Sequence, residues 1–197
     1  PMYKKGGIKL VVLDSSSTDR TVEISRKYAD VVLEVPRGKL SARDAGIRRD
    51  DADIIVAVDS GDLYPPGWLS CLLEPFSDPN VVAAHGAVMS KDILWKPAIA
   101  WSNLVRPVRT LSGRNSAFRR SAYFQIGGFD LSVNQFDRGE LQNEEEIRFL
   151  ARMKSVGKVV FVWNASMFRS ERMMPVTLEM DGRIEKYKRE IAQKVRF

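Results

Sequence analysis

Asp14 and Asp59 each end an apolar run and open a polar turn, a position from which a carboxylate can hold a ligand. The first run is Leu10-Val11-Val12-Leu13-Asp14, followed by Ser15-Ser16-Ser17-Thr18-Asp19. The second is Ile54-Ile55-Val56-Ala57-Val58-Asp59, followed by Ser60-Gly61-Asp62. A run apolar on both faces predicts a strand buried on both sides of a mostly parallel sheet. The carboxyl ends of such strands open on the crevice where α/β sheets take ligands. Two acidic ends therefore point to one mouth for a polar ligand, a nucleotide with a metal ion.

The elements that must position these carboxylates alternate. Strands are predicted at 8–13, 31–35, 54–58 and 81–88, and helices at 19–29, 41–49 and 67–74. Ser17, Thr18 and Asp19 supply N-caps for the first helix, and Pro65-Pro66 sits where the third begins. Strand, helix, strand in this order predicts right-handed crossovers and a parallel sheet. Residues 93–111 are basic and aromatic-flecked, with Trp95 and Trp101. A helix at 120–126 stops at Gly127-Gly128, another at 143–155 stops at Gly157, and Lys158–Trp163 reads as a strand. From residue 178 a helix aligns Met180, Ile184, Tyr187, Ile191 and Val195. It packs on the domain or lies on an acidic membrane surface, packing being the simpler use.

Bulk properties narrow the classes. With 197 residues, 44% hydrophobic and 28% charged, the chain reads as one globular domain with a full core. The single cysteine, Cys71, excludes a disulfide framework and a cysteine zinc site. No apolar run approaches the roughly 20 residues of a membrane span, and no signal peptide is evident. A cytoplasmic setting is expected, with peripheral membrane contact left to the basic tail. The net charge is +6, and residues 91–129 alone carry that excess through Lys91, Lys96, Arg106, Arg109, Arg114, Arg119 and Arg120 against Asp92. Such a field suits a phosphate-bearing ligand or an anionic surface.

Five stretches match one set of family motifs. Asp14-Ser15-Ser16-Ser17-Thr18-Asp19-Arg20-Thr21 is similar to an Asp-[Asp/Ser]-Gly-Ser-Thr-Asp-x-Thr segment. Gly38 through Ala42-Arg43-Asp44-Ala45-Gly46 resembles Gly-x-x-x-Ala-Arg-Asn-x-Gly. Asp59-Ser60-Gly61-Asp62 stands where an Asp-x-Asp metal motif is carried. Gly113-Arg114-Asn115, Arg119-Arg120 and Gly127-Gly128-Phe129-Asp130 follow a Gly-x-Asn…Arg-Arg…Gly-Gly-Phe-Asp block. Glu145-Glu146, then Arg152 and Gly157, resembles Glu-Asp…Arg-x-x-x-x-Gly. Together the five resemble family 2 glycosyltransferases with the GT-A fold.

The resemblance covers residues 8–165 and implies an α/β chain with the GT-A (nucleotide-diphospho-sugar transferase) fold, a central mostly parallel mixed sheet flanked by helices. It implies one domain over 1–197: a nucleotide-sugar-binding half at 8–110, an acceptor and catalytic half at 111–175, and a C-terminal amphipathic helix at 176–197. The implied reaction is inverting transfer of a sugar from a UDP- or GDP-linked donor to a hydroxyl of a glycan, glycoprotein or lipid-linked acceptor; nucleic acid is not an expected partner. On that reading Tyr3, Asp14 and Ser15 bind the nucleotide, and Arg43 lines its base and phosphates. Asp59, with Asp62, holds Mn2+ or Mg2+ across the diphosphate. Glu146 is the general base, with Glu145 beside it as a second catalytic candidate. Asn115 hydrogen-bonds the donor sugar, and Gly127, Gly128, Phe129 and Asp130 border sugar and acceptor.

Several positions depart from the family pattern. Gly61 replaces the second Asp of the metal motif, and Glu146 replaces an Asp. Glu144, Glu145 and Glu146 are expected to raise one another's pKa. Arg169 stands where the family often carries a histidine, while His85, the only one, sits in an apolar strand and reads as core. About 25 residues of helix, the size of a crossover unit, are absent between Tyr3 and Ile8, so a chain break is expected near Lys4 to Gly7. Rival readings are a catalytically silent nucleotide-sugar binder and an anion- or nucleic-acid-binding module over 91–129. A haloacid-dehalogenase-like phosphatase would use Asp14 as nucleophile, but Ser16 occupies its general-acid position.

Overall fold

The computed structural model describes residues 7–35, 38–89, 113–132 and 144–169, with positions 100, 101, 104, 108 and 111. Tyr3, the segment from Lys4 to Gly7 where a break is expected (Gly7 apart), Trp95, Lys91, Lys96, Arg106, Arg109 and the helix from 178 lie outside the described residues.

The first unit is strand, helix, strand. β1 (Val11–Asp14) and β2 (Val31–Glu34) pair in parallel, joined through the short α1 (Thr21–Ser25). α1 is shorter than the expected 19–29 and its N-cap is Arg20, not Ser17, Thr18 or Asp19; Asp19, one residue earlier, accepts from the Thr21 N–H at 3.0 Å through Oδ1. α2 (Lys39–Arg49) then packs on β1, where Gly46 meets Leu13: a Cβ there would stand 2.9 Å from Leu13 Cδ2.

The larger sheet has five strands in the order β3-β6-β5-β7-β4. They are β3 (Ile54–Ala57), β4 (Asp62–Leu63), β5 (Val81–Met89), β6 (Ser116–Arg119) and β7 (Lys158–Arg169). β5 and β7 run parallel; β3–β6, β5–β6 and β4–β7 are antiparallel, so the sheet is mixed. α3 (Trp68–Leu73) follows Pro65-Pro66, α4 (Arg120–Gln125) follows β6, and α5 (Glu144–Val156) precedes β7.

Adjacent residues of β6 show that the sheet is covered on both faces. Phe118 packs with Leu40, Tyr123, Phe129, Phe149 and Met153. Ala117 points the other way, into a cluster with Leu72, Phe76, Ala84 and Ala165. Successive strand residues face opposite sides, so helices α2, α4 and α5 cover one face and α3 the other. β5 is buried from Val81 through Ala87 and half-buried at Val88 and Met89. β1 and β3, expected to be buried on both faces, are mostly half-buried, because β1 belongs to a two-stranded sheet and β3 lies at an edge.

Two short strands, β4 and β6, were not legible as strands, and β7 runs on to Arg169 through an irregularity opposite Gly86–Val88. There the backbones come so close that a Cβ on Gly86 would fall 2.1 Å from the Ala165 carbonyl oxygen. Only glycine fits.

Candidate active site

Asp59 leaves β3 in a turn that the core holds from behind. Its N–H donates to the Tyr64 hydroxyl at 3.2 Å. Tyr64 packs on Trp68 with ring centroids 4.4 Å apart, and Trp68 Nε1 donates to Asn115 Oδ1 at 2.5 Å. Asn115 in turn donates through Nδ2 to the carbonyls of Ala87 and Ala165 at 2.9 and 2.8 Å. This relay anchors the turn to the centre of the sheet. Burial pushes the Tyr64 hydroxyl up to about 12, so it stays neutral.

Onto this turn α2 directs two cations, Lys39 and Arg43, four residues apart and therefore on one helix face. Arg43 Nη2 donates to Asp59 Oδ1 at 2.8 Å, and its Nη1 lies 3.5 Å from Glu146 Oε1. Lys39 Nζ stands 3.7 Å from Asp59 Oδ2 and 3.8 Å from Glu146 Oε1. From the loop before β6, Arg114 reaches Asp59 Oδ2 at 3.5 Å and Asp62 Oδ1 at 3.4 Å. Three carboxylates and three cations thus meet in one cluster, and residues remote in the chain, Asp59 and Glu146, share partners.

Glu146 enters from the first turn of α5 and is largely buried. Gly113 lets the loop pass close, since a Cβ there would touch both carboxylate oxygens at 3.4 Å. Burial raises the proton affinity of Glu146 above the ordinary carboxylate range, while Lys39 and Arg43 pull it back and Asp59 adds to the rise. The cause is desolvation with Asp59, not the adjacent Glu144 and Glu145 as expected.

Glu145 points elsewhere, contrary to its place among the catalytic candidates. A helix turns about 100° per residue, and that step sends Glu145 to the Gly127–Asp130 turn. There it pairs with Arg152 and accepts from the Asp130 N–H at 2.7 Å. Arg152 also donates to the carbonyls of Gly128 at 2.8 Å and Ile126 at 3.2 Å. Glu144 pairs with Arg148 on the outer side. Glu146 alone faces the cluster of Asp59.

Gly127 and Gly128 adopt φ of +83° and +76°, the left-handed values that glycine accepts most readily. Gly128 rests on Tyr123, and Gly127 has open space beside it. Phe129 is core, ringed by Tyr123 and Phe149, and so does not line a sugar pocket. The Asp130 carboxylate is turned back onto Ser132, whose N–H it accepts at 3.0 Å. Asn115 is likewise consumed by the interior: it is 0% exposed and both its N–H groups go to backbone carbonyls, so none is left for a sugar. Asp14 is buried at the end of β1 and its Oδ2 accepts from the Ser17 N–H at 3.0 Å. Ser15 Oγ accepts from the Gly38 N–H at 2.9 Å, which ties the Asp14 turn to the start of α2 beside Lys39.

The residues expected to hold a divalent ion do not form a cage for one. Gly61 offers no side-chain oxygen, and the Asp62 carboxylate is turned inward onto Arg114, with its side chain 0% exposed. Both Asp59 oxygens already face cations. Among the described residues no group of three acidic, histidine or cysteine side chains is placed to hold a metal ion. A divalent cation needs several hard oxygen ligands, and this set does not fit it.

The basic field of 91–129 is not one surface. Arg119 donates to the carbonyls of Val81 and Phe76 at 2.8 Å, and Arg120 donates to Ile47 O at 3.1 Å while lying over the Phe124 ring. Of its described arginines, Arg114 alone joins the acidic cluster. Lys39, Tyr64 and Arg114 had not been singled out as site residues. For Lys39 the signal was its i,i+4 spacing to Arg43; for Arg114 it was its place inside Gly-x-Asn. His85 is buried as expected, its Nδ1 2.7 Å from Gly86 O. An open groove of about 410 Å3 along α5, lined by Asp130, Glu145, Arg148, Ala151 and Arg152, shares no residue with the Asp59 cluster.

Comparison with known proteins follows the same lines. The family model described as glycosyl transferase family 2 matches residues 4–132. A glucosyl-dolichyl phosphate glucuronosyltransferase from Haloferax volcanii is 22% identical over 156 residues, 69% of this chain and 50% of its own length. An N-acetylglucosaminyltransferase from Azorhizobium caulinodans is 32% identical over 96 residues, 45% of this chain and 24% of its own. The chain therefore spans half or less of the curated relatives it matches. A mannosyltransferase from Pyrobaculum calidifontis, solved with GDP-Man and Mn2+, superposes with a TM-score of 0.63 at 18% identity, covering 85% of this chain and 49% of that one. Glucosyl-3-phosphoglycerate synthase from Mycobacterium tuberculosis, solved with Mn2+, UDP-glucose and phosphoglyceric acid, gives 0.54 at 22% identity over 84% of this chain and 61% of that one. These likenesses show the GT-A fold.

Proposed function

This chain belongs to glycosyl transferase family 2, and we propose that it moves a sugar, with inversion, from a UDP- or GDP-linked donor to a hydroxyl acceptor. The observation that carries this reading is the meeting of Glu146 and Asp59 around Arg43 and Lys39. A buried carboxylate of raised proton affinity stands beside a cationic patch, which is what transfer from a nucleoside diphosphate requires. Glu146 takes the acceptor's proton as its oxygen attacks the anomeric carbon, on the face opposite the leaving diphosphate. A single in-line displacement inverts that centre. Asp14 and Ser15, at the mouth of β1, are proposed to receive the nucleotide, and Gly127, with open space beside it, to border the sugar.

The donors named with the neighbouring structures, GDP-Man and UDP-glucose, supply both bases for a screen. The dolichyl phosphate relative supports a lipid-linked acceptor, with a glycan or glycoprotein as the other classes. Mn2+ accompanies those donors, but the residues of this chain do not fit it. The test is Glu146→Gln, measured by donor calorimetry and by transfer. Donor affinity should survive while kcat falls by about 10²–10⁴-fold. Full transfer by the variant would remove the base assignment; donor binding by the unaltered chain with no transfer at all would leave a binder of nucleotide sugars.

A further inference from the structure

We propose that this site neutralises the departing nucleoside diphosphate with Lys39, Arg43 and Arg114 in place of a divalent metal. The inference rests on the reading of the cluster as a nucleotide-sugar site. Its ground is the donor set. Position 61 is glycine, Asp62 is turned inward onto Arg114, and Asp59 is ringed by three cations. A divalent ion beside Asp59 would stand among like charges at close range.

The same cations are set for an oxyanion. Arg43 is held in place by the 2.8 Å bond from Nη2 to Asp59, yet its buried Nη1 has no hydrogen-bond acceptor among the described residues. Glu146 Oε1, 3.5 Å away, is an ion-pair contact only. A buried N–H left without an acceptor is costly, and a phosphate oxygen would satisfy it. Lys39 is half exposed and sits 3.7–3.8 Å from its carboxylates, so it can turn onto an incoming anion at little loss. Arg114 holds Asp59 and Asp62 at 3.5 and 3.4 Å, equally long. A guanidinium fork matches phosphate geometry.

Charge and atoms balance without a metal. The bond between the anomeric carbon and the diphosphate oxygen breaks, and its electron pair stays on that oxygen. The acceptor oxygen forms the new bond to carbon, and its proton passes to Glu146. The charge left on the diphosphate is met by N–H donors of the three side chains.

The experiment titrates the whole chain with UDP and GDP by calorimetry, in EDTA and then in Mn2+. Affinity in EDTA should lie within about twofold of that in Mn2+. Arg114→Met and Lys39→Met should each weaken diphosphate binding about tenfold, the scale of one charge-assisted contact, and leave nucleoside binding as it is. Arg114→Lys should recover part of the loss. Lys39 is half exposed, so its variant keeps the test in force should Arg114→Met fail to fold. Binding that EDTA removes and Mn2+ restores would overturn the proposal while sparing the donor reading. So would native affinity in both variants. Absence of nucleotide binding in either buffer would overturn both.

Discussion

Glu145 and Glu146 are neighbours of one residue type, both buried, and they do opposite work. Glu145 is locked: one arginine and one backbone N–H hold it, and that arginine also closes the Gly127–Asp130 turn. Glu146 stands among Lys39 and Arg43 at 3.5 to 3.8 Å, with no comparably tight bond to either. A carboxylate fixed by short bonds builds structure. One kept among longer, shared contacts can change partners, as proton transfer and ligand arrival both demand.

Three measurements can break or sharpen that contrast. Arg152→Ala leaves Glu145 buried without its cation and should cost about 3 kcal/mol in urea unfolding, with donor affinity per folded molecule unchanged. A stable Arg152→Ala chain that loses donor binding would move function to the Glu145 side. Tyr123→Phe removes the hydroxyl that donates to Asp44 and accepts from the Phe129 N–H, and should cost about 1–2 kcal/mol. Asp44 keeps Arg48 at 2.8 Å, which bounds the loss. Smallest is a shift in the pH profile. Glu146 acts as a base when deprotonated, and burial holds its pKa above that of an ordinary glutamate. Activity should therefore be present above that raised pKa and fall as pH drops through it. Lys39 lowers this pKa, so Lys39→Met should move the acid limb to higher pH, and Glu145→Gln should leave it in place.

Much of the frame was legible. β1, α2, β3 and β5 fall within a few residues of where apolar runs and Gly or Pro boundaries put them. Strands β4 and β6 were not, because their short segments carry no alternation of their own and are strands only through partners far along the chain. The site divides in the same way. Arg43, Asp59 and Glu146 were marked by motif, and the fold brings them together. Asn115 and Phe129 carried equally good motif signals, yet the fold uses both as interior fittings. A motif names a position; burial decides whether its polar atoms remain free.

By itself the chain's order of residues determined the acidic strand ends, the glycines at tight backbone passages and the loss of a carboxylate at position 61, since these are local matters of chemistry and backbone freedom. Which of three consecutive glutamates would face Asp59, and that Lys39 and Arg114 would join it, was decided only by the docking of α2, α5 and the loop before β6 on one sheet. Helix phase and sheet register set those meetings, and both depend on contacts between segments distant in sequence.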